Sequence, residues 1–151
     1  MKLAEALLER ADLQKRIAQM GGRLQSNAQV QEGEKPAEDP QKLLKELAAM
    51  TNRLEEIIAN INLTNSRTLV DGEPLTRLLA RRDAWQQQIR IQREFLDAAS
   101  ALASRARMSE IKILSTVSVA DMQKKLDQQS KALRELDARI QGANWTTDLM
   151  E

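Results

Sequence analysis

The side chains that could do chemistry in this sequence are carboxylates, arginines, amides and hydroxyls, because Cys and His are both absent. Their absence removes thiolate nucleophiles, disulfides, zinc fingers, haem and iron–sulfur ligation, and imidazole acid–base catalysis. What remains would have to be a carboxylate site. In a helical protein such a site places Glu or Asp on inward-facing positions, usually as Glu-x-x-His pairs. No apolar stripe carries one: Glu55-Glu56 and Asp127 lie beside the stripes and read as solvated charges. Gly21-Gly22 and Asp71-Gly72-Glu73-Pro74 lack the spacing of a phosphate loop and are explained by backbone geometry. Asn62-Leu63-Thr64 and Asn144-Trp145-Thr146 match a glycosylation sequon, which reads as coincidence without a secretion signal. No catalytic, cofactor-binding or metal-ligating residues are expected, and the chain is read as a non-enzyme.

Two further groups could recognise a partner. Arg77, Arg81, Arg82, Arg90, Arg93, Arg105 and Arg107 crowd residues 77–107, a possible phosphate-contacting stripe. At 100° per residue they spread around the helix, and no aromatics are interleaved for base stacking. The more specific group is a set of polar residues inside apolar stripes: Arg10, Asn27, Arg82, Gln92 and Gln129. Such groups can set register or partner choice between helices, or reach water at the edge of a seam.

The elements that position these residues follow from composition and spacing. About half of the 151 residues are Ala, Leu, Glu, Lys or Arg, and aromatics make up 2%. That composition suits long helices and gives few of the rings that line organic-ligand pockets. The first helix is predicted over 2–31, with the stripe Leu3, Ala6, Arg10, Leu13, Ile17, Met20, Leu24, Asn27 and a soft point at Gly21-Gly22. A polar loop over 32–39 leads to Asp39-Pro40, an N-cap followed by proline at the first helical position. The second helix, 40–65, has the cleanest seam: Leu43, Leu47, Met50, Leu54, Ile57, Ile61, expected to be buried throughout.

Near 68–75, Asp71-Gly72 predicts a tight hairpin turn, with Pro74 confining one arm to an edge. Thr76 is the expected cap of a third helix over 76–104, whose stripe runs through Leu78, Leu79, Arg82, Trp85, Ile89, Gln92 and Leu96 to Ala99 and Ala103. Period-two alternation over 110–117 predicts a short strand or extended connection. Ser118 and Asp121 resemble a capping box for a fourth helix over 119–141, with the seam Val119, Met122, Leu126, Gln129, Leu133, Leu136, Ile140 and Gly142 as its stop. The tail is expected to be pinned by Trp145.

The fold class is therefore all-α: one domain over 1–151, with four long amphipathic helices in an antiparallel bundle or coiled-coil arrangement and a small hairpin or strand element. Several stripes are wider than one seam needs, which predicts a homo-oligomer, most simply a dimer. Residues 1–75 carry net −2 and residues 76–151 net +3, an asymmetry that favours one half docking on the other. With no signal-like apolar segment at its start, the chain is expected in the cytoplasm.

The sequence also resembles a family of small bacterial helical proteins of unknown function, some of which bear the name septicolysin. The resemblance rests on Met1-Lys2-Leu3-Ala4-Glu5-Ala6-Leu7, Val30-Gln31-Glu32-Gly33-Glu34, Glu38-Asp39-Pro40, Ile61-Asn62 with Thr64-Asn65, Asp71-Gly72 with Leu75-Thr76, and Leu79-Ala80-Arg81-Arg82-Asp83. It continues through Ser109-Glu110-Ile111-Lys112, Leu136-Asp137-Ala138-Arg139-Ile140-Gln141 and Asn144-Trp145-Thr146-Thr147-Asp148-Leu149. It implies a helical, bacterial, cytoplasmic protein and brings no catalytic residues. The candidate interaction positions are thus Arg10, Asn27, Asn62, Asn65, Arg81, Arg82, Asp83, Gln92, Gln129 and Trp145. The leading functional expectation is a structural or interaction protein that associates with itself and with a protein partner through its helices. Two alternatives are a septicolysin-like membrane-active protein and weak nucleic-acid binding through the Arg-rich third helix; neither a membrane nor a nucleic acid is the expected partner.

Overall fold

A computed structural model describes residues 1–101 and 111–151. Its elements are α1 (Leu3–Ser26), α2 (Pro40–Arg67), β1 (Leu69–Val70), β2 (Glu73–Pro74), α3 (Leu75–Ser100) and α4 (Val119–Thr146). β1 and β2 form one two-stranded sheet, so the chain is all-α with a small hairpin. Two compact units emerge: Met1–Leu69 with Ala143–Glu151, and Val70–Gly142.

In the first unit α1 and α2 run antiparallel. Arg53 bonds Glu9 (2.6 Å), Arg16 pairs with Glu46 (3.7 Å) and Arg23 with Glu38 (2.7 Å), so positions rise along one helix as they fall along the other. Burial repeats every seven residues. Ala6, Leu13 and Met20 on α1 with Asn27 at its C-terminal cap, and Leu43, Met50, Ile57 and Thr64 on α2, are the buried series. Of the intervening stripe positions, Arg10, Ile17, Leu24, Leu47 and Leu54 are only half-buried, while Leu3 and Ile61 at the ends of the same rows are buried. The α2 seam is therefore not closed along its whole length, because a pair of helices covers the line between them and leaves one flank of each stripe open.

Several element ends differ from the sequence expectation, each for a local reason. α1 stops at Ser26 rather than near residue 31, because Asn27 leaves helical geometry and its Nδ2 donates to Arg23 O at 2.8 Å, satisfying a terminal carbonyl. Asn27 Oδ1 accepts from Glu38 N at 2.9 Å and so ties the following loop down. At the next junction the N-cap works as expected, Asp39 Oδ1 accepting from Gln41 N at 3.0 Å. Thr76 does not cap α3: the helix starts at Leu75 with Pro74 before it, the hairpin having set the chain's direction. Gly142 does not stop α4, which continues to Thr146; its φ is not positive, so no left-handed cap forms. The turn positions Asp71 (φ 51°) and Gly72 (φ 83°) take the left-handed conformations a tight hairpin requires. Residues 111–117 form a connection without regular secondary structure and not a strand, with Ile111 and Leu114 exposed. Glu110, the end of the third helix expected at 101–104, and Ala103, Arg105 and Arg107 fall largely or wholly outside the described residues.

The tail is pinned by its backbone and not by Trp145, which is 59% exposed. Lys2 and Asp148 form an antiparallel bridge, Leu149 N donates to Met1 O (2.9 Å), and Met150 N donates to the buried Thr64 Oγ1 (2.9 Å). Extending α4 past Gly142 turns Asn144 inward and swings Trp145, one position on, toward solvent.

Gly21 and Gly22 sit inside α1, and a Cβ at either would meet nothing within 4 Å. Gly21→Ala and Gly22→Ala are each expected to raise stability by about 0.5–1 kcal/mol, read as a higher thermal midpoint, since only backbone freedom of the unfolded chain is removed. A loss of stability on either change would show that these glycines serve a contact rather than a soft point.

Candidate functional site

The seam between α3 and α4 in the second unit is where apolar packing and unmatched polarity meet. Ile89, Leu96 and Leu126 are buried together, with Val119, Met122 and Leu133 packed against them. The helices are antiparallel: Arg82 Nη1 approaches Asp137 Oδ1 at 3.4 Å and Arg93 Nη2 approaches Ser130 Oγ at 3.4 Å. Within this seam Gln92 Oε1 and Gln129 Oε1 are both buried and have no hydrogen-bond partner among the described residues. Both side chains line a groove of about 310 Å³ that also touches Met122 and Leu126, and Gln129 extends to a second pocket of about 240 Å³ beside Trp85, Gln88, Ile89 and Ala132. A buried carbonyl oxygen without a donor is destabilising, so each marks a place where an N–H or O–H donor is wanted.

The other candidate positions are spread over the molecule. Arg10 is half-buried on α1, Asn62 is exposed and Asn65 half-buried on α2. Asn27 is 7% exposed, but its amide is spent on Arg23 and Glu38, which makes it a loop fastener. Arg81 grips Glu73 through two bonds (2.6 and 3.2 Å) and Arg82 lies 3.4 Å from both Asp83 and Asp137. Arg90 pairs with Glu94 (3.2 Å). Arg81, Arg82 and Arg90 thus turn to carboxylates, while Arg77 and Arg93 are exposed. Among the described residues no group of three Asp, Glu, His or Cys side chains is placed to hold a metal ion.

Sequence reasoning missed Ile91 and Phe95, 52% and 44% exposed and four residues apart on α3. Their spacing was readable, but the seam through Ile89, Gln92 and Leu96 drew attention to the neighbouring face. It also missed Glu9–Arg53 and Lys2–Asp148, which depend on helix register and chain return that no local pattern encodes.

Electrostatics follow these pairs. Hydrogen bonds from Arg53, Arg23 and Arg81 hold Glu9, Glu38 and Glu73 below the ordinary value of 4.5, and Lys2 holds Asp148 below 3.8. A carboxylate with a lowered folded-state pKa adds stability above its unfolded value and loses it as pH falls through the folded one. Thermal stability is thus expected to be level from about pH 7 to about 5 and to decline below about pH 4. Glu9→Gln should shrink that decline, and a midpoint that rises on acidification would contradict the assignment.

Among the described residues no helix is long and apolar enough to cross a membrane. A comparison with curated proteins finds no match. The chain is similar over 99% of its length, and of the other chain's, to the crystal structure of a functionally unknown conserved protein from Corynebacterium diphtheriae, at 37% identity and a TM-score of 0.92. Neither that structure nor the matching family bears the septicolysin name. The model of a family of unknown function, DUF6847, matches residues 10–149, and the chain belongs to that family.

Proposed function

We propose that this protein is a non-enzymatic interaction module of the cytoplasm that associates with itself through coiled-coil-like helix faces, most simply as a dimer. One observation carries the reading: apolar residues at helix-stripe spacing stay half-buried or exposed in both units. Ile17, Leu24, Leu47 and Leu54 in the first, and Met122, Leu133, Ile91 and Phe95 in the second, are left with flanks that another helix could cover. A chain free of Cys suits a reducing compartment.

Sedimentation velocity over a range of protein concentrations tests it, together with affinity capture from the host cell. A concentration-dependent shift from monomer to dimer is expected. A sharp monomer boundary at every concentration, with no specific partner captured, would end the proposal.

A further inference from the structure

On α4, Asp121, Lys125, Gln128, Ala132, Glu135 and Arg139 recur at alternating four- and three-residue steps and so share one face. On α3, Ala84, Gln88, Ile91 and Phe95 do the same. The pocket of about 240 Å³ is lined by Gln88 from the α3 stripe and Ala132 from the α4 stripe, so both stripes border it from the same side. Apart from half-buried Ala132, every residue of the two stripes is exposed.

Each stripe is its own complement when reversed. Inverting α4 about residue 130 sets Asp121 against Arg139, Lys125 against Glu135 and Gln128 against Ala132. Inverting α3 midway between Gln88 and Ile91 sets the large Phe95 against the small Ala84, and Ile91 against the stem of Gln88. The two midpoints lie level in the structure, because Ile89 and Gln129 line the same pocket and Arg82 reaches Asp137 in the same register. A single two-fold axis through the pocket, perpendicular to the helices, therefore satisfies both stripes at once. This is what an isologous interface demands.

Resting on the self-association proposed above, we infer that the α3/α4 face around this pocket is where a second copy of the chain docks, antiparallel, with its own α3 and α4 laid across. Charge complementarity and size matching about one axis select a second copy over an unrelated helix, which would have no reason to share that symmetry. Phe95 and Ile91 are the apolar anchors, and the Lys125–Glu135 pairs fix direction; Arg139 is already held by Asp71 at 2.9 Å and adds less.

Sedimentation equilibrium of the full chain, with helicity checked by circular dichroism, tests this. Phe95→Asp is expected to weaken dimerisation roughly a hundredfold or more, since it buries a charge in place of an apolar anchor. Lys125→Glu and Glu135→Lys alone each replace attraction by repulsion twice per dimer and weaken it roughly tenfold, while the two together return it to within roughly threefold of the original. A dimer indifferent to all of these variants overturns this interface while leaving self-association through another face standing. A dimer broken by Leu44→Asp, at an exposed leucine of α2 in the first unit, and not by Phe95→Asp does the same, and a wild-type chain that stays monomeric overturns both.

Discussion

Ile57→Ala is expected to remove about 2–5 kcal/mol of unfolding free energy, the largest single effect in the first unit. Ile57 is 0% exposed and sits in the middle of the seven-residue series on α2, between Met50 and Thr64. Truncation deletes three carbons from a space that two antiparallel helices cannot collapse into without disturbing the Glu9–Arg53 bonds on the same helix pair. At a denaturant slope of about 1–3 kcal/mol per molar urea, the midpoint should fall by about 1–3 M. Leu54→Ala, one turn away but half-buried, is the matched control and should lose clearly less. Equal losses at 54 and 57 would mean that the open flank of the seam is filled in solution, and that the burial pattern is not that of the isolated chain.

Gln129→Leu, alone or with Gln92→Leu, is expected to act in the opposite direction. Each replacement trades a buried oxygen without a donor for an apolar group of similar length, in a seam already lined by Ile89, Met122 and Leu126. The gain should be about 1–3 kcal/mol per site for the monomer, seen as a higher thermal midpoint at low micromolar protein. A destabilisation of core-truncation size would show that the amides are matched by donors after all, and that the seam's polarity is structural.

The α1/α2 polar residues, Asn27 and Thr64, are buried and fully bonded, Asn27 to Arg23 and Glu38, Thr64 to Asn60 and Met150. They end the buried series and fasten loop and tail. Gln92 and Gln129 occupy equivalent interruptions in the α3/α4 seam, and their side-chain oxygens have no hydrogen-bond partner among the described residues. Polarity in a seam is therefore not a uniform signal: whether it fastens or waits depends on what chain segment returns to meet it.

Local order was largely legible from residue spacing. The buried series of α1 and α2, the Asp39-Pro40 start of α2, the Asp71-Gly72 turn and the seam of α4 each follow from periodicity, capping chemistry or backbone freedom, all of which act within a few residues. So was the identity of Gln92 and Gln129 as exceptions. Tertiary structure alone decided that Leu47 and Leu54 stay half-open, that Trp145 faces solvent while a backbone bridge holds the tail, and that Glu9 meets Arg53. It also decided that Gln88 and Ala132 border one pocket, bringing two unremarkable stripes to a common level. The reason is physical: a helical stripe announces that a face will be buried, but its partner, its register and the completeness of its cover depend on contacts between residues far apart in the chain, which no local pattern carries.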